Sequence, residues 1–156
     1  PGGVVQSQVV ETANGAFRLA LNASQSQQTQ SSRFLHERFG SGVQHIAFGT
    51  ADIFATVERL KRNGVDLLPI PENYYDDLEV RVDLPAEAIA RMRDANVLYD
   101  RDGEGEYFQA YTQTIEGGLF FEIVERRRYT GFGAVNAPIR LAAQSQLSRA
   151  DGYFAA

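Results

Sequence analysis

The stretch that most constrains what this chain can fold into runs from Gly42 to Arg126, where short apolar segments are separated by turn-forming links and one clear helical pattern. GVQHIAFGT (42–50) reads as a buried strand. Thr50 is placed to cap a helix over about 51–62, in which Ile53, Phe54, Val57 and Leu60 share one face and Asn63-Gly64 closes the end. VDLLPI (65–70) reads as a second strand, with Pro69 marking an edge or a strand end. Residues 71–83 read as irregular, and Pro85 begins a helix of about ten residues carrying Ile89 and Met92. VLYD (97–100), YFQAYTQ (107–113) and LFFEIVER (119–126) follow as three further strands, linked by Asp102-Gly103 and Glu116-Gly117-Gly118. The order is β-α-β-β-β with one inserted helix, an α+β arrangement. A last helix is expected over about 138–148, after Gly131 and Gly133.

Upstream, VVQSQVVET (4–12) and AFRLALN (16–22) form a hairpin pattern around Ala13-Asn14-Gly15, since Asn and Gly both tolerate the positive φ of a tight turn. Phe17, Leu19 and Leu21 share one face of its second arm, and Arg18, Ala20 and Asn22 the other. The Ser- and Gln-rich stretch 23–32 reads as a connector, with a short helix from near Gln30 to around Phe39-Gly40. No β-α unit precedes the hairpin, and the chain opens on Pro1-Gly2-Gly3, so the expectation is a piece cut from a longer protein. The expected organisation is a terminal hairpin of a truncated module (1–22), a connector (23–41), a complete β-α-β-β-β module (42–130) and a C-terminal helix and tail (131–156).

Composition removes several functions. With 156 residues, 44% hydrophobic and 22% charged, the chain can bury a core of its own. A net charge of -5 leaves no surface suited to a run of phosphates, so nucleic acid is not an expected partner. The one basic cluster, Arg126-Arg127-Arg128, reads as a solvated strand end. Cys is absent, which excludes thiolate sites and fits a cytoplasmic location, and no apolar run is long enough to span a membrane.

Two residues stand out for chemistry. Glu122 sits inside Leu119-Phe120-Phe121-Glu122-Ile123-Val124, where an ionised carboxylate costs several kcal/mol unless a metal, an arginine or a proton satisfies it. Its alternatives are a ligand inside an enclosed cup, or a strand-end carboxylate that meets solvent or an arginine. His45 lies in an apolar strand on one face with Val43 and Ala47, either as a hydrogen-bonded core residue or as a ligand; His36 reads as exposed. Together His45 and Glu122 make two parts of a 2-His-1-carboxylate facial triad, a set suited to Fe(II), although zinc or a structural role would look the same.

Four ordered motifs carry a family resemblance. Gly42-Val43-Gln44-His45-Ile46-Ala47-Phe48, Pro71-Glu72-Asn73-Tyr74-Tyr75-Asp76-Asp77-Leu78, Phe120-Phe121-Glu122-Ile123-Val124-Glu125-Arg126 and Gly131-Phe132-Gly133-Ala134-Val135-Asn136 resemble 4-hydroxyphenylpyruvate dioxygenase, of the vicinal-oxygen-chelate superfamily. The resemblance implies an open barrel of paired β-α-β-β-β modules around Fe(II) or another divalent metal. His45 would be the second histidine ligand and Glu122 the carboxylate, with the first histidine on a strand of the preceding module. It also implies a substrate pocket. Ser7, Asn22, Gln30 and Gln109 align with polar residues near a 2-oxo acid, while Phe120, Tyr111 and Phe132 fall among the rings around the substrate, Tyr111 replacing a Phe. Beyond the metal ligands it points to no catalytic residue.

Two departures reshape that pocket. Ala20 stands where the family has Pro, and Ala137 where it has Phe. The ending from Gly131 to Ala143 resembles a bacterial subgroup in which the dioxygenase-like domain follows a TIM-barrel 3-dehydroshikimate dehydratase. The implied protein is thus an enzyme of aromatic-compound catabolism acting on a small 2-oxo acid or aromatic-pathway metabolite. The alternatives are a free-standing dioxygenase of tyrosine catabolism and a non-catalytic assembly domain. The piece alone is expected to be inactive and to hold metal weakly or not at all. Half a paired barrel leaves strand edges open, so a homo-oligomer is expected.

Overall fold

The computed structural model describes residues 5–24, 30–115 and 118–150, and these form two compact units. The smaller unit holds the described residues up to Gln44 together with Gly118, and the larger holds His45–Ile115 and the described residues from Leu119 onward.

In the smaller unit, β1 (Val5–Glu11) pairs antiparallel with β2 (Arg18–Ser24), Val10 opposite Leu19 and Ser7 opposite Asn22. The turn is wider than the tight Asn-Gly turn expected. Only Gly15 takes a positive φ, while Thr12 closes the loop by donating from its N to the Phe17 carbonyl, and Asn14 accepts from Ala16 N through its side chain. The apolar face carries Val10, Phe17, Leu19 and Leu21, all exposed. Helix α1 (Gln30–Glu37) follows, ending before Phe39 at positive φ, with Phe34 buried and His36 exposed as expected.

The larger unit is built on one mixed sheet. Strands β3 (His45–Gly49), β4 (Leu98–Asp102), β5 (Gly105–Tyr111) and β6 (Phe120–Arg127) are arranged β3-β6-β5-β4. The two links among β4, β5 and β6 are short, so those strands run antiparallel, whereas β3 pairs in parallel with β6 because a long crossover separates them. The register places His45, Ala47, Phe120, Glu122, Val124, Tyr107, Gln109 and Tyr111 on one face.

The other face meets the crossover helices over β4, β5 and β6, while Ile46 and Phe48 of β3 stay exposed on it. Helix α2 (Ile53–Arg62) buries Ile53 and Val57, and Phe54 packs edge-on against Phe108. Its cap is Asp52, not Thr50: the Asp52 carboxylate accepts from Ala55 N, and Thr50 instead bonds the Thr56 hydroxyl. Asn63-Gly64 closes the helix as the pattern indicated. The segment 65–70 is not a strand. It makes a single bridge, Leu67 to Thr112, and is held by Asn96, whose side chain accepts from Ile70 N. Nor is 71–83 irregular. Glu72–Arg81 is a helix, α3, started by Pro71 and burying Tyr74, Tyr75 and Leu78. Its Asn and Asp residues are weak helix formers, and buried aromatic area supplies what propensity lacks. Helix α4 (Ala86–Ala95) follows Pro85 and ends on Asn96 in the left-handed conformation. A 3₁₀ turn (Ala134–Asn136) leads into α5 (Ala137–Ala150), which buries Ala143 in the core.

The basic triplet at the end of β6, Arg126-Arg127-Arg128, does not simply fan into solvent. Arg126 stacks on Tyr107 with its guanidinium 4.3 Å from the ring centroid and bonds the Gly131 carbonyl; Arg127 pairs with Glu125 and Glu106.

Candidate functional site

Glu122 is 6% exposed, and its carboxylate is satisfied without an arginine. Oε1 accepts from Gln109 Nε2 at 2.8 Å and from the Tyr107 hydroxyl at 3.4 Å, while Oε2 lies 3.6 Å from His45 Nε2. Adjacency of β3 and β6 thus brings His45 and Glu122 to the same side of the sheet. The His45 ring stacks on Phe120, 5.1 Å between centroids and 12° between planes. Burial lowers the His45 pKa and the neighbouring Glu122 opposes that shift. An imidazole whose pKa is lowered is the neutral species a metal needs.

Around this pair runs a polar chain. Gln109, 2% exposed, also donates to the Tyr111 hydroxyl at 2.9 Å and accepts at Oε1 from Asn136 Nδ2 at 2.7 Å. Asn136 is fully buried and accepts from the Tyr74 hydroxyl at 3.4 Å; that hydroxyl in turn accepts from Tyr99 N at 2.8 Å. Burial raises the Tyr74 pKa to about 12, and burial followed by the Glu122 charge drives those of Tyr107 and Tyr111 well above the usual value. These phenols stay protonated and act as donors.

Gly133 makes the arrangement possible. It has φ +60, and a Cβ there would stand 2.5 Å from both Gln109 Oε1 and Tyr107 Cε1. Only a residue without a side chain lets the 131–136 segment close over the site. Helix α5 then lays Arg140 over the rings of Phe120 and Tyr111, 5.1 and 5.8 Å from their centroids.

The structure therefore groups His45, Glu122, Gln109, Tyr111 and Phe120. Phe132 is 49% exposed and lies against Arg126, whose guanidinium is 5.7 Å from its ring centroid. Ser7 and Asn22 belong to the hairpin unit, where the Ser7 hydroxyl donates to Asn22 Oδ1 at 2.6 Å. Gln30 begins α1, and its side chain lies outside the described residues. Sequence reasoning assigned no role to Tyr107, Asn136 or Arg140. Asn136 lay within a quoted motif, but nothing local marks a helix arginine as facing inward. It also passed over Glu125, which does what a strand-end carboxylate was expected to do: buried on the opposite face, it accepts from Ile53 N at 2.9 Å and pairs with Arg127 Nε at 2.7 Å.

Two donors each about 2.1 Å from one ion stand about 3.0 Å apart at an octahedral angle and about 3.4 Å at a tetrahedral one. His45 Nε2 and Glu122 Oε2, 3.6 Å apart, stand a few tenths of an ångström beyond that spacing. Among the described residues no group of three or more His, Asp or Glu side chains is placed to hold a metal, so the site supplies two donors rather than three. Among the described residues no helix is long and apolar enough to cross a membrane.

Comparison with known proteins places this geometry in context. Residues 3–105 match the family described as the Glyoxalase/Bleomycin resistance protein/Dioxygenase superfamily. A 3-dehydroshikimate dehydratase of Pseudomonas aeruginosa is 49% identical over 96% of this chain and 24% of its own length. A 4-hydroxyphenylpyruvate dioxygenase of the same organism is 38% identical over 78% of this chain and 35% of its own. Among solved structures, a xylose isomerase-like TIM barrel/4-hydroxyphenylpyruvate dioxygenase fusion protein superposes with a TM-score of 0.78 at 46% identity, over 90% of this chain and 23% of that one. A mutant 4-hydroxymandelate synthase from Streptomyces coelicolor gives 0.79 at 34% identity, over 93% and 42%. The chain spans about a quarter of the length of the dehydratase relatives it matches.

Proposed function

As this chain belongs to the Glyoxalase/Bleomycin resistance protein/Dioxygenase superfamily, we propose that it is the dioxygenase-like, metal-binding domain of a longer 3-dehydroshikimate dehydratase-type protein. His45 and Glu122 are two of the protein ligands to Fe(II) or another divalent ion, and the longer polypeptide supplies a third. The observation that carries this reading is the 3.6 Å approach of a buried carboxylate to an imidazole on the neighbouring strand, with no arginine paired to that carboxylate among the described residues. The dehydratase relatives, more similar than the dioxygenase over nearly the whole chain, favour the fused form over a free-standing enzyme.

A divalent ion bound there would act as a Lewis acid toward the oxygens of a 2-oxo acid or related small metabolite and provide open positions for O₂. The chain's own residues do the rest. Gln109 orients Glu122, Asn136 fixes the Gln109 amide, and the phenols of Tyr107 and Tyr111 donate without ionising. Phe120 and Tyr111 form apolar walls that exclude water. Phe132 borders the pocket in the longer protein, and two copies of it associate.

The test is metal analysis and titration of the full-length protein beside its His45→Ala and Glu122→Ala variants. The wild type should hold about one ion per domain and both variants should lose it. Full retention by His45→Ala would overturn the assignment.

A further inference from the structure

Arg126 stands directly across from Tyr107 in the ladder between β5 and β6, on the sheet face that carries Glu122. The next two residues pair with carboxylates, Arg127 with Glu106 and Glu125 and Arg128 with Glu104. Arg126 turns to neutral groups instead. Its guanidinium lies over the Tyr107 ring, Nη1 donates to the Gly131 carbonyl, and Nη2 donates to the Tyr107 hydroxyl at 3.3 Å. That hydroxyl is 3.4 Å from Glu122 Oε1. The direction of both bonds follows from the groups themselves. A guanidinium has no acceptor, and a carboxylate that binds metal has no proton to give. The hydroxyl must therefore accept from Arg126 and give its one proton to Glu122. Arg126 thus fixes a rotor that would otherwise be free to turn away. The ring is held as well, stacked on Tyr129 with 4.9 Å between centroids and 7° between planes, and the Tyr129 hydroxyl is anchored on Asp100 at 2.5 Å.

We propose that Tyr107 and Arg126 are positioning residues for the Glu122 carboxylate, and that Arg126 acts on it only through the Tyr107 hydroxyl. Together with Gln109 Nε2 at 2.8 Å, the hydroxyl occupies Oε1 and leaves Oε2 as the oxygen that faces His45. Two donors on one oxygen keep the carboxylate from rotating about the bond that carries it. Partners of this kind set metal affinity by about 10–100-fold. The proposal rests on the reading of His45 and Glu122 as metal ligands.

Co(II) is the probe, because its visible absorption bands report the geometry of the ligands around it. The full-length protein is titrated with Co(II) as wild type, Tyr107→Phe, Arg126→Gln and the double variant, and spectra and unfolding curves are recorded for each. Tyr107→Phe keeps the ring stack and should weaken Co(II) binding about tenfold while shifting the bands. Arg126→Gln should weaken it less and shift the bands the same way. The double variant should match Tyr107→Phe, since without the hydroxyl Arg126 has nothing to orient. Loss of the Gly131 contact should appear in the unfolding curves and not in the bands. Additive losses of affinity in the double variant would give Arg126 a separate, structural role and overturn the proposal, as would wild-type affinity and bands in Tyr107→Phe. Should Arg126→Gln not fold, Arg126→Lys takes its place in the same cycle. A wild type that binds no Co(II) refutes the metal reading and the positioning role with it, whereas wild-type binding with unaltered variants refutes the positioning role alone.

Discussion

Substituting Gly133 by Ala tests whether the site is held by close approach or merely surrounded. Two costs are separable. A left-handed φ of +60 costs Ala about 1 kcal/mol. The new methyl would also stand 2.5 Å from Gln109 Oε1, a contact no real Cβ makes, so the amide must move. Gln109 is nearly fully buried and bonded at 2.8 Å to Glu122 and 2.7 Å to Asn136, and losing one such bond to a charged partner costs about 2 kcal/mol. Gly133→Ala should therefore destabilise by about 3 kcal/mol. Gly64 supplies the control, with φ +76 and no atom within 4 Å of its would-be Cβ, so Gly64→Ala should cost only about 1 kcal/mol. In a chain of this size each kcal/mol lowers Tm by about 3 °C, so thermal unfolding should fall by about 9 °C and about 3 °C respectively. Urea titrations should give the same order. Equal losses in the two variants would show that Gly133 matters for its backbone alone and that the packing argument is wrong.

The two carboxylates of β6 should separate cleanly. Glu125→Gln should cost about 2 kcal/mol by weakening the anchor of α2 and the Arg127 pair, yet leave metal content of the full-length protein unchanged; metal loss in that variant would reverse the roles. Tyr74→Phe leaves the Tyr99 amide without its acceptor and should lose about 1–3 kcal/mol in urea unfolding, and a change too small to measure would remove Tyr74 from the network. The His45 imidazole should titrate below 6.5 by NMR. Because its folded pKa is the lower one, its stabilising contribution is complete above the unfolded value and is lost as pH falls through the folded value. A midpoint at or above 6.5 would contradict the burial argument.

Much of this architecture was legible because periodicity and turn chemistry agreed. The helices at Ile53 and Ala86, the three strands from Leu98 onward and the Asn14-Gly15 hairpin all carry both signals. The helix at Glu72 was not legible, since its Tyr-Tyr-Asp-Asp core lacks a helical stripe and depends on where Tyr74 and Tyr75 are buried. The segment at Val65 misled for the opposite reason: its apolar residues read as a strand, but Leu67, Leu68 and Ile70 reach the core with one bridge and little pairing. At the site, an anomalous carboxylate and an anomalous histidine could be picked out one by one. Their 3.6 Å approach could not, because it depends on the parallel pairing of strands distant in the chain. Arg140 was invisible for a similar reason, as only the packing of α5 decides which way it faces.

That parallel pairing also fixes when the site can exist. β3 opens the larger unit and β6 closes its sheet, so the ladder between them is the contact of longest sequence separation in that sheet. Closing such a loop costs entropy before any contact compensates it, which places this ladder late among the events of folding. His45 and Glu122 meet only when β3 and β6 pair across the whole stretch that holds α2, α3, α4, β4 and β5. A nascent or partly folded chain therefore presents two isolated donors rather than a chelating pair, and capture of an ion becomes a reporter of completed folding.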